Sequence, residues 1–532
     1  MALLPDTNSP ATTRRGLPPS ITPELVSRLS RLVSASDGAE TVTTTAPYTL
    51  EHLATLPVST PEAVERAFVT AREAQRAWSA TSFAERRQIL LRFHDLVLQR
   101  QDEVLDLMQA ENGKTRRDAF LEVTDIAVTS RYYARAAESL LRPRRRRGAF
   151  PVLTHTTELR HPKGVVAVIS PWNYPLSMAA SDTIAALAAG NAVVQKPDTQ
   201  TSLTALWSLE LLREAGLPPG VWQIVLGRGS VIGGALMDGA DYVMFTESTS
   251  SGRRIARDAG ERLIGSSLEL GGKNAMIVLP DANLDKVTEG VVNACFPSAG
   301  QLCVSIERLY VHRDLYEPLL QRLVPRVAKM KIGAGYDFGY DMGSLTDTDQ
   351  LETVSAHVAD AVAKGATAVT GGRPRPDLGP LFYEPTILTG VDEGMTLYRE
   401  ETFGPVVSVY PFDTEDEAVA LANDTAYGLN ASVWTRDGAR GRALAARLHT
   451  GTVNVNEAFA AAWGSIDAPM GGMGQSGLGR RHGAEGLLKY TEAQTVAQQR
   501  LQGFSPPKGL PWRAFAAALT ISLKALKGLG LK

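Results

Sequence analysis

Short apolar runs of four to six residues, each followed by a helical stretch, dominate the middle of this chain and constrain its fold most. The runs lie at 165–169, 192–196, 222–226, 242–245 and 274–279. Segments with helical spacing separate them, at about 176–189, 202–215, 231–237 and 250–259. The runs show no polar alternation, so they read as strands buried on both faces. Buried strands alternating with helices predict βαβ units and a parallel sheet, the α/β class. The second half repeats the texture less strictly. Strands are expected at 307–312, 405–411 and 430–435, and helices at 314–329, 349–363 and 415–423. This predicts a second α/β unit, with no internal sequence repeat.

The flanks read differently. Residues 1 to about 60 are rich in Pro, Ser and Thr and predict an extended arm or a loosely packed lead-in. Thr60 then suits an N-cap and Pro61 a first helical position. Val64, Ala67, Phe68 and Ala71 form one apolar stripe. A second helix is expected over 83–110, with Ile89, Leu90, Phe93, Leu96 and Val97 inward, and a third over 116–141. The run Arg142-Pro-Arg-Arg-Arg-Arg147 reads as a solvated loop. After Pro506, Pro507 and Pro511, the residues Phe515, Leu519, Leu523 and Leu526 share a helical face. That pattern predicts a short docked helix, with an interfacial membrane helix as the alternative.

Composition narrows the function classes. The chain has 532 residues, 44% hydrophobic and 21% charged, which excludes a disordered or collagen-like chain. The 55 basic and 57 acidic residues argue against a nucleic-acid binder. Only two cysteines, Cys295 and Cys303, exclude a disulfide scaffold. No apolar run is long enough to span a membrane, and Met1 to Asp6 carry no secretory pattern, so the cytoplasm is the expected compartment. No metal site is read.

Several residues could carry chemistry. Gly227-Arg-Gly229-Ser230-Val-Ile-Gly233 follows a strand and is one residue longer than a G-x-G-x-x-G loop. By itself it reads first as a plain glycine-rich strand-to-helix turn, with a phosphate-binding loop as the alternative. Thr246-Glu247-Ser248-Thr-Ser-Ser-Gly252 opens a helix, whose N-terminus favours phosphate or simply a capping hydroxyl. Asn173, in Ser170-Pro171-Trp172-Asn-Tyr174-Pro175, directly follows a parallel strand, where ligands bind in such sheets. Glu269 precedes Leu270 and a Gly-Gly pair, and Cys303 lies in Gly300-Gln-Leu-Cys. Together the three supply an oxyanion donor, a base and a nucleophile.

In order and spacing, seven separated motifs resemble the aldehyde dehydrogenase superfamily. They are Pro171–Pro175, Lys196-Pro197, Phe245-Thr246, Leu268–Gly272, Gly300–Cys303, Glu401-Thr-Phe403-Gly-Pro405 and Ser476–Arg480. The likeness covers about residues 60–500. Within the superfamily, Phe382–Thr386, Gly471–Gly474 and the extended tail resemble actinobacterial NADP-dependent succinate-semialdehyde dehydrogenases. The resemblance implies a Rossmann-like cofactor domain over 56–145 and 167–270 and an α/β catalytic domain over 271–477. It also implies a bridging, oligomerising element over 146–166 and 478–500. Residues 1–55 would be an arm, and 501–532 a tail with a short amphipathic helix. A homodimer or homotetramer is implied as well.

By the same resemblance, Cys303 attacks the aldehyde, Asn173 and the Cys303 backbone N–H hold the oxyanion, and Glu269 activates water against the thioester. Cofactor contacts fall to Ser170, Pro171, Trp172, Lys196, Thr199, Gly229, Ser230, Phe245, Thr246, Glu247, Ser248, Leu270, Glu401 and Phe403. NADP is expected, with NAD possible, because neutral Thr199 stands where NAD-preferring relatives carry an acid. Two residues depart from the pattern. Glu247 replaces a glycine beside the expected pyrophosphate, which leaves open a cofactor-impaired scaffold. Asp182 stands where many succinate-semialdehyde dehydrogenases carry a carboxylate-binding arginine. The alternative substrate is therefore an uncharged medium-chain or aromatic aldehyde, in a pocket of Tyr174, Met178, Phe459 and Trp463.

Overall fold

A computed structural model describes residues 16–148, 153–501 and 503–530. The Met1–Asp6 reading lies outside the described residues. The expected α/β texture is present as two large sheets. One is six-stranded, in the order Gly477–Leu478, Gly265–Glu269, Tyr242–Thr246, Val165–Ser170, Ala192–Pro197 and Trp222–Ile224. Its pairings are parallel apart from Gly477–Leu478, which runs antiparallel to Gly265–Glu269. The chain order reverses between Val165–Ser170 and Tyr242–Thr246. Such a reversal opens a crevice at the carboxyl ends of the two strands.

The other large sheet has seven strands: Thr367–Thr370, Thr386–Thr389, Val406–Phe412, Ile306–His312, Asn274–Val278, Asn430–Trp434 and Thr452–Val455. All neighbours are parallel except the first pair. Each sheet carries its own hydrophobic core, and a small cluster of Tyr174, Met178, Leu302, Val304, Leu429 and Met470 lies apart from both. Between the first sheet and the helix Arg116–Leu141 runs the helix Pro175–Ala188, every residue of which is buried. Its alanines and serines let neighbouring backbones approach closely, and its all-round burial explains why no amphipathic stripe marks it.

A third sheet of three antiparallel strands joins Thr491–Gln499, Thr154–Pro162 and Arg144–Arg146. It corrects the expected loop at Arg142–Arg147. Arg144–Arg146 form an exposed edge strand, held by backbone pairing and by Arg146 against Glu158 at 2.5 Å. The side chains of Thr491–Gln499 beyond Thr491 are exposed.

The expected N-terminal arm is also corrected. Residues Pro23–Ser30 form a helix capped by Thr22, and Thr41–Thr45 pairs with His52–Pro57 as a hairpin. Leu29 and Leu56 are fully buried in the first core. The helix expected over 83–110 is two helices, Phe83–Gln99 and Gln101–Asn112, broken where Arg100 leaves helical geometry. Thr60 does cap Pro61–Ser79, accepting from the Ala63 amide at 3.3 Å. The tail forms a helix over Trp512–Gly528, in which Phe515 is the buried residue. Among the described residues no helix is long and apolar enough to cross a membrane.

Candidate active site

The crevice at the chain reversal opens into a cavity of about 280 Å³. Cys303, Glu269 and Asn173 all line it, together with Pro171, Trp172, Tyr174, Met178, Thr246, Glu247, Ser248, Leu270, Glu401, Phe403 and Trp463. Residues far apart in sequence converge there because most end a strand of one sheet or sit on a loop of the other, while Met178 and Trp463 come from helices.

Cys303 sits on a constrained loop. Ser298 and Ala299 have φ of 50° and 55°, values that side chains other than glycine adopt rarely. The strain is held by the Asp118 carboxylate, which accepts the Ser298 amide at 2.9 Å. Gly300 follows at φ 74°, and a Cβ there would collide with the Gly404 carbonyl. On the far side the Asn274 amide donates to the carbonyls of Cys303 and Ser305, both at 2.7 Å. The thiol is therefore aimed from both flanks. Burial, with the charges of Glu269 and Glu401, pushes it up to about 12, so it rests as a neutral thiol. Cys295 is buried and packs in the second core. Ser305, two residues beyond Cys303, is also buried and donates to the Ala294 carbonyl at 3.1 Å.

Asn173 ends the loop after Val165–Ser170, and its Nδ2 donates to the Gln301 carbonyl at 3.0 Å. A primary amide has a second N–H, which is free for a substrate oxygen. The loop is locked by a wholly buried ion pair. Lys114 Nζ donates to Glu122 at 2.5 Å and to the Asn173 carbonyl at 2.6 Å. Glu122 in turn accepts the amides of Leu176 and Ser177 at the start of the following helix, at 2.9 and 3.0 Å.

Glu269 ends Gly265–Glu269, and its Oε1 is buried with no hydrogen-bond partner among the described residues. Burial raises its carboxyl to about 7, against the opposing pull of Arg481 and Lys489. A carboxyl near neutrality suits a general base.

Pro171, Trp172 and Phe403 line the cavity's other end, with Phe403 edge-on to Trp172 at 5.7 Å between ring centroids. Glu401 accepts the Gly272 amide at 2.7 Å, and burial raises its carboxyl to about 8. A Cβ on Gly271 would run into that carboxylate. The glycine thus leaves room for a buried acceptor facing open space, which fits the ribose hydroxyls of a nicotinamide nucleotide. Lys196 lies near the end of the strand Ala192–Pro197 and Thr199 just after it, and Gly229 and Ser230 open the helix Gly229–Gly239. These four lie outside the cavity but along the same carboxyl edge of the sheet. A Cβ on Gly229 would meet nothing within 4 Å, so packing does not require glycine there. Ser170 and Phe245 are buried in the sheet and do not line the cavity.

Glu247 stands at the cavity rim. Its carboxylate accepts from Ser251 at 3.4 Å, on the first turn of Thr249–Glu261. This places a carboxyl beside the N-terminus where phosphate is expected; burial raises it, and Lys196 opposes that rise by favouring its charged form.

The cavity continues into a second one of about 140 Å³, walled by Leu121, Val128, Leu302, Phe459 and Trp463. Tyr174 and Trp463 face both. Trp463 is held by its indole N–H on the Asp125 carboxylate at 2.9 Å. Among the described residues lining the two cavities there is no lysine or arginine.

Sequence reasoning missed Leu302, Gly271 and Gln350, which also line the cavity. It missed the buried pair Lys273–Glu307 at 2.5 Å as well. Glu307 accepts the Thr402 amide at 3.0 Å and the Phe403 amide at 2.9 Å, and so fixes the loop carrying Glu401 and Phe403. Gly271 and Lys273 lie in the same Gly-Gly-Lys stretch as Glu269, which could have signalled them. Glu307 has no local signal.

Comparison with known proteins agrees with this geometry. The aldehyde dehydrogenase family model matches residues 33–496. A Mycobacterium tuberculosis protein named "Putative succinate-semialdehyde dehydrogenase NADP(+) 2" is 52% identical over 495 residues, 93% of this chain and 96% of that protein. The 4,4'-diapolycopene aldehyde oxidase of Methylomonas sp. is 36% identical, covering 89% of each chain. Betaine aldehyde dehydrogenase of Staphylococcus aureus, solved in complex with NAD+, superposes with a TM-score of 0.84 at 33% identity. That match covers 89% of this chain and 95% of the other. By its match over most of its length, this chain belongs to the aldehyde dehydrogenase family.

Proposed function

We propose that the chain oxidises succinate semialdehyde to succinate with NADP, through covalent intermediates on Cys303. The convergence of Cys303, Glu269 and Asn173 on one cavity carries the chemical reading. The name of the mycobacterial relative carries the substrate and the cofactor.

The residues act in sequence. Cys303 Sγ attacks the aldehyde carbon, and its thiol proton passes to solvent. The Asn173 amide and the Cys303 backbone N–H hold the resulting oxyanion; one such donor is worth about 10²–10³ in rate. Pro171, Trp172, Glu401 and Phe403 would hold the nicotinamide end of the dinucleotide. Lys196, Thr199, Gly229, Ser230, Thr246 and Ser248 would hold the adenosine and phosphate end. When bound, the nicotinamide supplies the hydride acceptor that converts thiohemiacetal to thioester. Glu269 then deprotonates a water, which displaces the Cys303 thiolate and releases the acid. Splitting the oxidation in two keeps each barrier low. The test is NADPH formation from succinate semialdehyde by purified protein, and its loss in Cys303→Ala.

A second reading is favoured by one observation. The cavity walls carry aromatic and aliphatic side chains and no cation to meet a substrate carboxylate. An uncharged medium-chain or aromatic aldehyde suits Tyr174, Met178, Phe459 and Trp463 better. Higher kcat/KM on such aldehydes than on succinate semialdehyde would decide for this reading.

The six-stranded sheet is assigned to cofactor binding, the seven-stranded sheet to the catalytic domain and the three-stranded sheet to a bridge between subunits. The exposed strand Thr491–Gln499 supports a homodimer or homotetramer, because an unpaired edge strand is a template for another copy. Light scattering tests this. A cytoplasmic location follows from the same reading and is tested by cell fractionation.

A further inference from the structure

Behind Glu269 lies a cluster of buried charges that the steps above do not use. Arg481 pairs with Asp182 at 2.9 Å, and Lys489 reaches the other Asp182 oxygen at 3.5 Å. All three side chains are less than one-tenth exposed. Asp182 comes from the buried helix Pro175–Ala188, Arg481 from the turn after Gly477–Leu478, and Lys489 from the turn before Thr491–Gln499.

The cluster abuts the base through packed atoms. Gly477 pairs with Glu269 in the sheet, and Leu478 with Leu268. Lys489 donates to Ser267, two residues before Glu269 on the same strand, at 3.4 Å. Arg481 donates to the sulfur of Met178, a cavity-lining residue, at 3.0 Å. Two cations therefore oppose one carboxylate on segments packed against the strand whose last residue, Glu269, has an unpaired carboxylate oxygen among the described residues. Buried ion pairs contribute little to stability compared with apolar packing of equal volume. A cluster of this kind at the base is better explained by what it does to the base.

We propose that Arg481 and Lys489, balanced by Asp182, are positioning residues that keep Glu269 a carboxylate in its buried site, ready to take a proton from water. This rests on the reading of Glu269 as general base. Burial alone drives a carboxyl far upward, and nearby cations oppose it. Glu269 sits at about 7 with Arg481 and Lys489 lowering it and Asp182 raising it. The other groups facing the cluster are Arg480 beside Glu269, Asp125 from Arg116–Leu141, and the Cys303 thiol. The hydroxyls of Tyr133 and Tyr490 also face it, and burial holds both well above their usual range. The His482 ring is depressed to about 3 by burial and by Arg481, so it adds no charge.

The test separates sign as well as size. With the full-length protein and NADP, the NADPH burst reports hydride transfer and the steady state reports thioester hydrolysis, each followed from acid to alkaline pH. Lys489→Met should move the acid limb of hydrolysis upward by about one pH unit or more, relative to burst amplitude. Asp182→Asn should move it downward. Arg481→Lys should keep the parent limb. A merely structural role predicts lower burst amplitude with the limb unmoved. Limbs that stay put, or that move the same way in both variants, overturn the proposal. Should Lys489→Met fail to fold, an unmoved or raised limb in Asp182→Asn overturns it alone. A parent protein that gives no burst with any aldehyde overturns the dehydrogenase reading instead.

Discussion

Lys114→Met should loosen the oxyanion donor from a distance and reveal how the site is held. Lys114 and Glu122 are both fully buried, so neither charge is shared with water. The ammonium satisfies Glu122 and the Asn173 carbonyl at once, and lies 3.8 Å from the centre of the Tyr174 ring. Methionine fills the space but strands a buried carboxylate and an unpaired carbonyl. Breaking such a pair from one side costs about 3–5 kcal/mol. Burial already raises Glu122, with Lys114 the main opposing influence. The variant is therefore expected to protonate Glu122 and weaken its hold on Leu176 and Ser177. The Asn173 amide is then no longer pre-aimed, and the hydride burst should slow by up to about 10²–10³. Urea denaturation measures the first effect and stopped-flow NADPH formation the second. The double variant Lys114→Met/Glu122→Gln should be more stable than Lys114→Met, because no charge is left stranded. A single variant with the parent's denaturation midpoint and burst rate refutes the argument. So does a double variant less stable than the single.

Four further outcomes follow from the site. Glu269→Gln should retain the NADPH burst while steady-state turnover falls about 10²–10⁴-fold. In the parent, turnover should decline below pH about 7, because a raised carboxyl pKa leaves the base protonated on the acid side. Thr199→Glu should shift preference from NADP toward NAD by repelling the 2′-phosphate, read as the ratio of kcat/KM values. Glu247→Gly should tighten NADP binding by calorimetry, because it removes a carboxylate from the first turn of Thr249–Glu261. An unchanged Kd would mean that the carboxylate turns away once the nucleotide is bound.

The α/β texture was legible because parallel strands must be apolar on both faces, and 165–169 and 242–245 are so throughout. The strand Gly265–Glu269 was missed. Its residues Gly-Ser-Ser-Leu-Glu carry no apolar run, because it lies near the sheet edge and its end faces the cavity. The N-terminal hairpin was missed for a related reason. Thr41–Thr45 is polar and half-exposed, and it is fixed by pairing with His52–Pro57 rather than by its own pattern. Among candidate site residues, Cys303, Glu269 and Asn173 were found through tight local motifs, although Gly271 and Leu302 in the same motifs were passed over. Glu307, 34 residues from its partner Lys273, was not found.

The sequence by itself determined the class of fold and the family, and it singled out Cys303, Glu269 and Asn173 as candidates, because periodicity and closely spaced motifs are local. It also marked Asp182 and Glu247 as departures from the family pattern. Only the tertiary structure decided what those departures mean. Asp182 is the partner of Arg481 and Lys489 behind the base, and Glu247 sits on the rim beside a helix N-terminus. Both facts depend on which buried charges meet, and that is set by how distant segments pack, since a buried ionised group must find a partner wherever the fold supplies one.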